Sequence, residues 1–185
     1  YYIDQSSDLN HAALTGSTNG TNAISIQGGN LGGDRTYGNT VLPYLFTADL
    51  TVNAGETLTL TPGAVLKFND GHFLAVSGTL DAQGTVGQPI LFTHRQDDSA
   101  LGDTFNNGDT SAAIEEWETL YLYEGSDASV LRNVEIRYAG DSNGGASGGT
   151  VRALLVRGSD ATLDNVRVRD VQGDGIHFVS GATPT

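Results

Sequence analysis

Between Leu50 and Phe92 the chain repeats one device. An apolar residue, a polar or small residue and a second apolar residue form a doublet, and the doublets return at short, even intervals: Leu50/Val52, Leu58/Leu60, Leu66/Phe68, Leu74/Val76, Leu80/Ala82 and Ile90/Phe92. Each doublet reads as a short strand with one buried face. Turn residues separate them: Asn53-Ala54-Gly55, Pro62-Gly63, Asp70-Gly71, Ser77-Gly78, Gln83-Gly84 and Gly87-Gln88-Pro89. The first four doublets start eight residues apart, so three strands make a coil of 24. Stacking such coils sets Leu74/Val76 over Leu50/Val52, Ile90/Phe92 over Leu66/Phe68, and Leu80/Ala82 near Leu58/Leu60. The expectation is an all-β, three-sheet solenoid in which like side chains stack on like. The competing arrangement is an antiparallel sandwich of short strands. Against it, like residues recur at coil distance, and no run of Asn-Gly or Asp-Gly hairpin turns joins the strands.

Composition fits frequent turning. The 185 residues include 25 glycines and suit one domain, and 38% hydrophobic content supports a thin core. Cysteine is absent, which rules out a disulfide or thiolate-metal framework. No apolar run reaches the roughly 20 residues of a membrane helix. A net charge of −13 excludes nucleic-acid binding by phosphate neutralisation, opposes insertion at anionic membranes and favours divalent cations. Six of the nine Lys and Arg residues fall between Arg132 and Arg169.

Residues 1–49 are expected to cap the first coil, with strands over Ala23–Gln27 and Tyr37–Phe46 and with Pro43 opposing a central sheet position there. Residues 50–185 form the coils, interrupted at 94–116 by an acidic insertion. After it the pattern returns at Leu120/Leu122, Val134/Ile136, Leu154/Val156, Leu163, Val166/Val168 and Ile176/Phe178. The segments from Gly125 and from Gly158 resemble each other, and their alignment stacks Asn133 on Asn165 in one turn.

The pieces DLTVNAGETLTLTPGAVLKF, VSGTLDAQGT, QPILFT, NVEIRYAG and GDGIHF make the chain resemble bacterial secreted or surface right-handed parallel β-helix proteins of the pectate-lyase-like superfamily. The resemblance covers about Ile24 to Phe178 and implies a right-handed parallel β-helix with an N-terminal cap, in a large extracellular or cell-surface protein. Where such proteins carry W-x-G-I, this chain has Trp117-Glu118-Thr119-Leu120, without the glycine. The superfamily includes pectate lyases, polygalacturonases, tailspikes and adhesins, so the fold does not choose among them.

Strand alternation puts Tyr121, Tyr123, Arg157 and His177 outward on one face. Aromatic surfaces beside donors suit a polysaccharide, and in the polysaccharide-acting members a groove along one sheet holds the sugar chain. The alternative is that the tyrosines merely cover the sheet under the 94–116 insertion. On the next face Glu135 lies over Arg167, and Arg137 over Arg169 near Asp170, either as a solvated charge ladder or as a cationic patch for an acidic glycan.

In the insertion, Asp97, Asp98, Asp103, Asn107 and Asp109 form an expected calcium set. The run from Asp103 partly matches a calcium loop, although Phe105 occupies its third ligand position. The resemblance also implies calcium at this place, and a solvated acidic loop is the alternative. No nucleophile elbow, His-Glu-x-x-His or G-H-G element marks an active site, so no catalytic residue is assigned. The leading expectation is an extracellular structural or adhesive module, calcium-supported, contacting glycans or assembling end to end. A polysaccharide lyase or glycoside hydrolase is the alternative. Ile176/Phe178 open a coil that Val179–Thr185 cannot finish, so further coils or a second copy are expected to cover it.

Overall fold

The doublets form strands because each sets two apolar side chains on one face, and the turn residues between them bend the chain into the next strand. The computed structural model describes residues 2–3, 13–108, 110–114, 116–141 and 152–185. Its elements are all strands: β1 (Tyr2–Ile3), β2 (Ile24–Ile26), β3 (Gly29–Asn30), β4 (Arg35–Tyr37), β5 (Tyr44–Phe46), β6 (Leu50–Val52), β7 (Thr57–Leu60), β8 (Val65–Phe68), β9 (Leu74–Val76), β10 (Thr79–Gln83), β11 (Ile90–His94), β12 (Leu120–Leu122), β13 (Val130–Arg137), β14 (Arg152–Arg157), β15 (Thr162–Arg169) and β16 (Asp174–Val179).

Every pairing between these strands is parallel. Two sheets result. One holds six strands in the order β16-β14-β12-β9-β6-β3, and the other holds ten. The ten-stranded sheet curls sharply because β13 and β15 each run through two of its halves. Residues 130–132 of β13 pair with β10, and residues 134–136 pair with β11. Asn133 at the bend has φ +48°, and Asn165 in the same place on β15 has φ +54°. Asn tolerates this left-handed region better than other non-glycine residues, so one residue turns the corner. The architecture is therefore an all-β, solenoid-like stack of parallel strands.

Like residues do stack. Leu50, Leu74, Leu120, Leu154 and Ile176 form one column, and Val52, Val76, Leu122, Val156 and Phe178 the next. The asparagines also stack: Asn165 Nδ2 donates to Asn133 Oδ1 at 2.7 Å, and Asn133 Nδ2 donates to the Gly84 carbonyl at 3.0 Å. Leu80 and Ala82 pair with Leu58 and Leu60, as read from the repeat.

The register of β11 differs from the repeat. Phe92, not Ile90, pairs with Leu66, and His94 pairs with Phe68. The turn between β10 and β11, residues 84–89, is longer than the one before it and closes on itself through an antiparallel bridge between Thr85 and Gln88, and the strand that follows is two residues late. The 1–49 segment also contributes more than a cover. Its strands β3, β4 and β5 pair in register with β6, β7 and β8, and β5 sits between β2 and β8. Pro43 stays just outside β5, where its carbonyl accepts from Ile24 N at 2.9 Å.

The core is a continuous apolar column threaded by rings. Phe46 stacks on Phe68 at 4.9 Å, and Phe68 on Trp117 at 4.4 Å, an offset-stacking distance. Trp117 is fully buried, with its Nε1 donating to the Arg137 carbonyl at 2.7 Å. The coils approach so closely at Gly78 that a Cβ there would lie 2.2 Å from the Asn53 carbonyl oxygen and 2.4 Å from that of Glu56.

Candidate functional site

Strand alternation leaves the odd residues of β8 and β11 facing away from the core, yet Val65, Lys67, Leu91 and Thr93 are all buried. The insertion after β11 covers them. Ala100 packs on Val65 and Leu91, and Lys67 reaches into the insertion's own backbone. Its Nζ donates to the Asp97 carbonyl at 2.9 Å, to Thr104 Oγ1 at 2.7 Å and to the Gly102 carbonyl at 3.3 Å. These three acceptors match the three donors of an ammonium group. Burial pulls the Lys67 pKa down to about 8, against the attraction of Asp98, Asp97 and Asp103.

Three of the expected calcium residues, Asp97, Asp98 and Asp103, are engaged by hydrogen bonds within the protein. Asp97 is 2% exposed. It accepts from Thr93 Oγ1 at 2.7 Å, Ser99 Oγ at 2.5 Å and Arg137 Nη1 at 3.1 Å. Burial pushes its carboxyl up, but those hydroxyls and the guanidinium outweigh burial and hold it below the usual range. Asp98 accepts from the Thr110 amide at 2.6 Å and its hydroxyl at 2.7 Å. Asp103 accepts from Phe105 N at 3.0 Å and Gly108 N at 2.8 Å. Asn107 is exposed beside a cavity of about 180 Å³ lined by Arg95, Gln96 and Phe105. Asp109 lies outside the described residues. Among the described residues, no three His, Asp or Glu side chains converge as a metal site.

The expected saccharide face divides in two. Tyr121, Leu155 and His177 share one column on consecutive strands. Tyr121 does face away from the core, but it is fully buried. Its hydroxyl donates to Glu118 Oε1 at 2.6 Å, and its ring meets Phe73 edge-on at 5.6 Å. Burial raises its phenol pKa, and the Glu118 carboxylate raises it further. Tyr121 therefore offers no ring face to a ligand in this conformation. Tyr123 stacks on it at 5.3 Å, with the planes 5° apart. Tyr123 and Arg157 line a surface cavity of about 430 Å³ with Glu124, Gly158 and Ser180. His177 sits apart from that cavity, its Nδ1 2.8 Å from Asp174 Oδ2.

The charge ladder keeps its register but changes its pairing. Glu135 lies beside Arg167 and Arg137 beside Arg169. The Glu135–Arg167 contact is long, 3.8 Å, with Arg167 mostly in solvent. Both arginines of the like-charged pair turn to Glu135 instead. Arg169 Nε donates to it at 2.5 Å, Arg137 Nε also donates to it, and Arg169 bonds Asp170 as well. Burial pushes the Glu135 carboxyl up, and the two arginines more than reverse that. The arginines are thus neutralised within the ladder rather than held free for an acidic glycan.

A third cluster escaped the sequence reading. His94, at the end of β11, has a 1% exposed side chain between two carboxylates. Nε2 lies 2.7 Å from Asp70 Oδ1, and Nδ1 contacts Glu116 Oε2. The three residues come from a turn, a strand end and the last limb of the insertion. No spacing rule joins them, and the register shift that carries His94 opposite Phe68 is what brings them together.

Among the described residues no helix is long and apolar enough to cross a membrane. Comparison with protein-family models, with curated proteins and with solved structures gives no match to this chain.

Proposed function

We propose that this chain is a right-handed parallel β-helix serving as a structural module of an extracellular or cell-surface assembly, joined end to end through its last coil. One observation carries the reading. Along the six-stranded sheet, the inward residues of β6, β9, β12 and β14 are fully buried, whereas Ile176 and Phe178 of β16 are 36% and 48% exposed. The opposite end of the stack is different: Ile24, Ile26, Leu31 and Tyr37 are at most 1% exposed. One apolar end with unpaired strand edges is a surface for another β layer, supplied by further coils or by a second copy. A second copy presenting the same end would cover both in a closed two-fold contact, whereas its covered end has no matching apolar surface to offer.

Sedimentation equilibrium over a concentration series tests this. Growth of the mean mass towards twice the monomer, abolished by Phe178→Asp, supports the reading. A wild type that stays monomeric throughout overturns assembly between copies.

A second reading is contact with an acidic polysaccharide, favoured by the cavity that Tyr123 and Arg157 both line. Arg157→Ala is expected to abolish binding of uronate oligosaccharides, and a wild type that binds none removes this reading. Calcium support for the insertion is a separate proposal. Saturating calcium should raise the melting temperature above that in chelator, and Asp103→Ala should abolish the rise; coincident curves would remove this reading.

A further inference from the structure

An asparagine followed by glycine can react with itself. The glycine amide nitrogen attacks the asparagine Cγ, the new N–C bond closes a succinimide ring, and the Cγ–Nδ2 bond breaks to release ammonia, which carries off the amide proton. Water then opens the ring at either carbonyl, leaving aspartate or isoaspartate. No oxidant or cofactor enters the balance. Glycine permits the attack because no Cβ shields its nitrogen. The amide must also be free, since a hydrogen bond holds both its proton and its position.

The described residues hold two such pairs, Asn19–Gly20 and Asn107–Gly108, and all four residues are exposed. Their glycine amides differ. Gly108 N donates to Asp103 Oδ2 at 2.8 Å, and Phe105 N donates to Asp103 Oδ1 at 3.0 Å, so one carboxylate holds both limbs of that loop. Gly20 N makes no hydrogen bond among the described residues. The bend before it is strained, with Thr18 at φ +56°. Asn19 turns to Asn22: its N and Nδ2 donate to Asn22 Oδ1 at 3.1 and 3.4 Å. Asn22 in turn ties this loop to the insertion. Its N donates to the Thr104 carbonyl at 2.7 Å and its Nδ2 to that of Asp103 at 3.4 Å.

We propose that Asn19–Gly20 is a self-modification site, where the Gly20 nitrogen displaces ammonia from the Asn19 side chain, while Asp103 protects Asn107–Gly108 from the same reaction. Conversion removes a donor from Asn22 Oδ1 and sets a carboxylate oxygen against that carbonyl oxygen. The tie between this loop and the insertion therefore loosens as the protein ages.

Peptide mapping by mass spectrometry tests it on the intact chain, incubated at mildly alkaline pH with and without urea. Unfolded in urea, the two pairs should convert at similar rates. In the folded chain Asn107 should convert about tenfold or more slower than Asn19, the worth of one hydrogen bond to a charged acceptor. Asp103→Ala should remove that gap, and Asp103→Asn, which keeps an acceptor oxygen, should retain most of it. A Cβ at position 20 meets no atom within 4 Å, and Gly20 lies outside the left-handed region, so Gly20→Ala should fold normally and keep Asn19 intact while wild type converts. Hydrogen exchange at the Asn22 amide should quicken in aged wild type and stay slow in aged Gly20→Ala. An Asn19-to-Asn107 rate ratio that is the same folded and unfolded, a gap that survives Asp103→Ala, or an intact Asn19 in folded protein after the unfolded chain has converted would each overturn the proposal. Unchanged Asn22 exchange in fully converted protein would overturn the loosening.

Discussion

Replacing Asn133 separates the two things that residue does at the corner of the stack. Its side chain donates to the Gly84 carbonyl and accepts from Asn165, and its backbone sits at φ +48°. Two lost hydrogen bonds cost about 2 kcal/mol together, each being worth about 1. Placing alanine in the left-handed region adds about 1 kcal/mol, which glycine avoids. Asn133→Ala should therefore destabilise by about 3 kcal/mol and Asn133→Gly by about 2. Trp117 is the sole tryptophan and is fully buried, so urea unfolding followed by its fluorescence reads the whole stack. The midpoint should fall in the order wild type, Gly, Ala, with the slope unchanged. An Ala variant as stable as wild type would refute the corner reasoning. A Gly variant less stable than Ala would refute the backbone part of it alone.

Lys67→Met removes the ammonium from three acceptors in the insertion. It should cost about 2–4 kcal/mol, since buried acceptors and carboxylates are left uncompensated, and it should speed limited proteolysis within residues 95–108. Gly78→Ala forces backbone apart where a Cβ would stand 2.2 Å from a carbonyl oxygen. A loss of about 2 kcal/mol or more in urea melts is expected. Glu135 is held below its ordinary pKa by Arg137 and Arg169 once burial is overcome. Its stabilisation is thus present above the ordinary glutamate value and lost as pH falls through the depressed one. The advantage of wild type over Glu135→Gln should shrink to nothing as melts are taken from about pH 5 towards pH 2.

The stacking of Leu50 on Leu74, of Leu120 on Leu154 and of Asn133 on Asn165 was legible because it follows from period and turn chemistry alone. The register of β11 was not. It depends on how many residues the Thr85–Gln88 turn absorbs, which the doublet period does not encode. The outward positions were correctly sided, but siding does not decide exposure. Tyr121 lies on the outer face and is still buried, while Lys67, written as a lone cation between apolar neighbours, marks where the insertion folds back. Val65 and Leu91 on the same outward row carry the signal that this face is covered, since apolar residues there have no reason to face water. The aspartates of the insertion looked like ligands by spacing. Two partners of Asp97, the Thr93 hydroxyl and the Arg137 guanidinium, come from outside the insertion, which spacing within the loop cannot reveal. The His94 cluster joins residues 24 and 22 positions apart across three segments, and only the stack assembles it.

The fold is a set of parallel strands stacked in register from coil to coil. Thr36, Thr59, Asp81, Val130 and Thr162 form one column across five strands. Four inter-strand steps of about 4.8 Å set the Thr36 and Thr162 Cα atoms about 19 Å apart. The chain has no cysteine, so Thr36→Cys and Thr162→Cys can be spin-labelled without background. Double electron–electron resonance should give one narrow distribution near that separation, widened only by the label arms, with Thr59→Cys/Thr162→Cys shorter by one step. A broad distribution, or a Thr59–Thr162 distance equal to or longer than the Thr36–Thr162 distance, would contradict the stack.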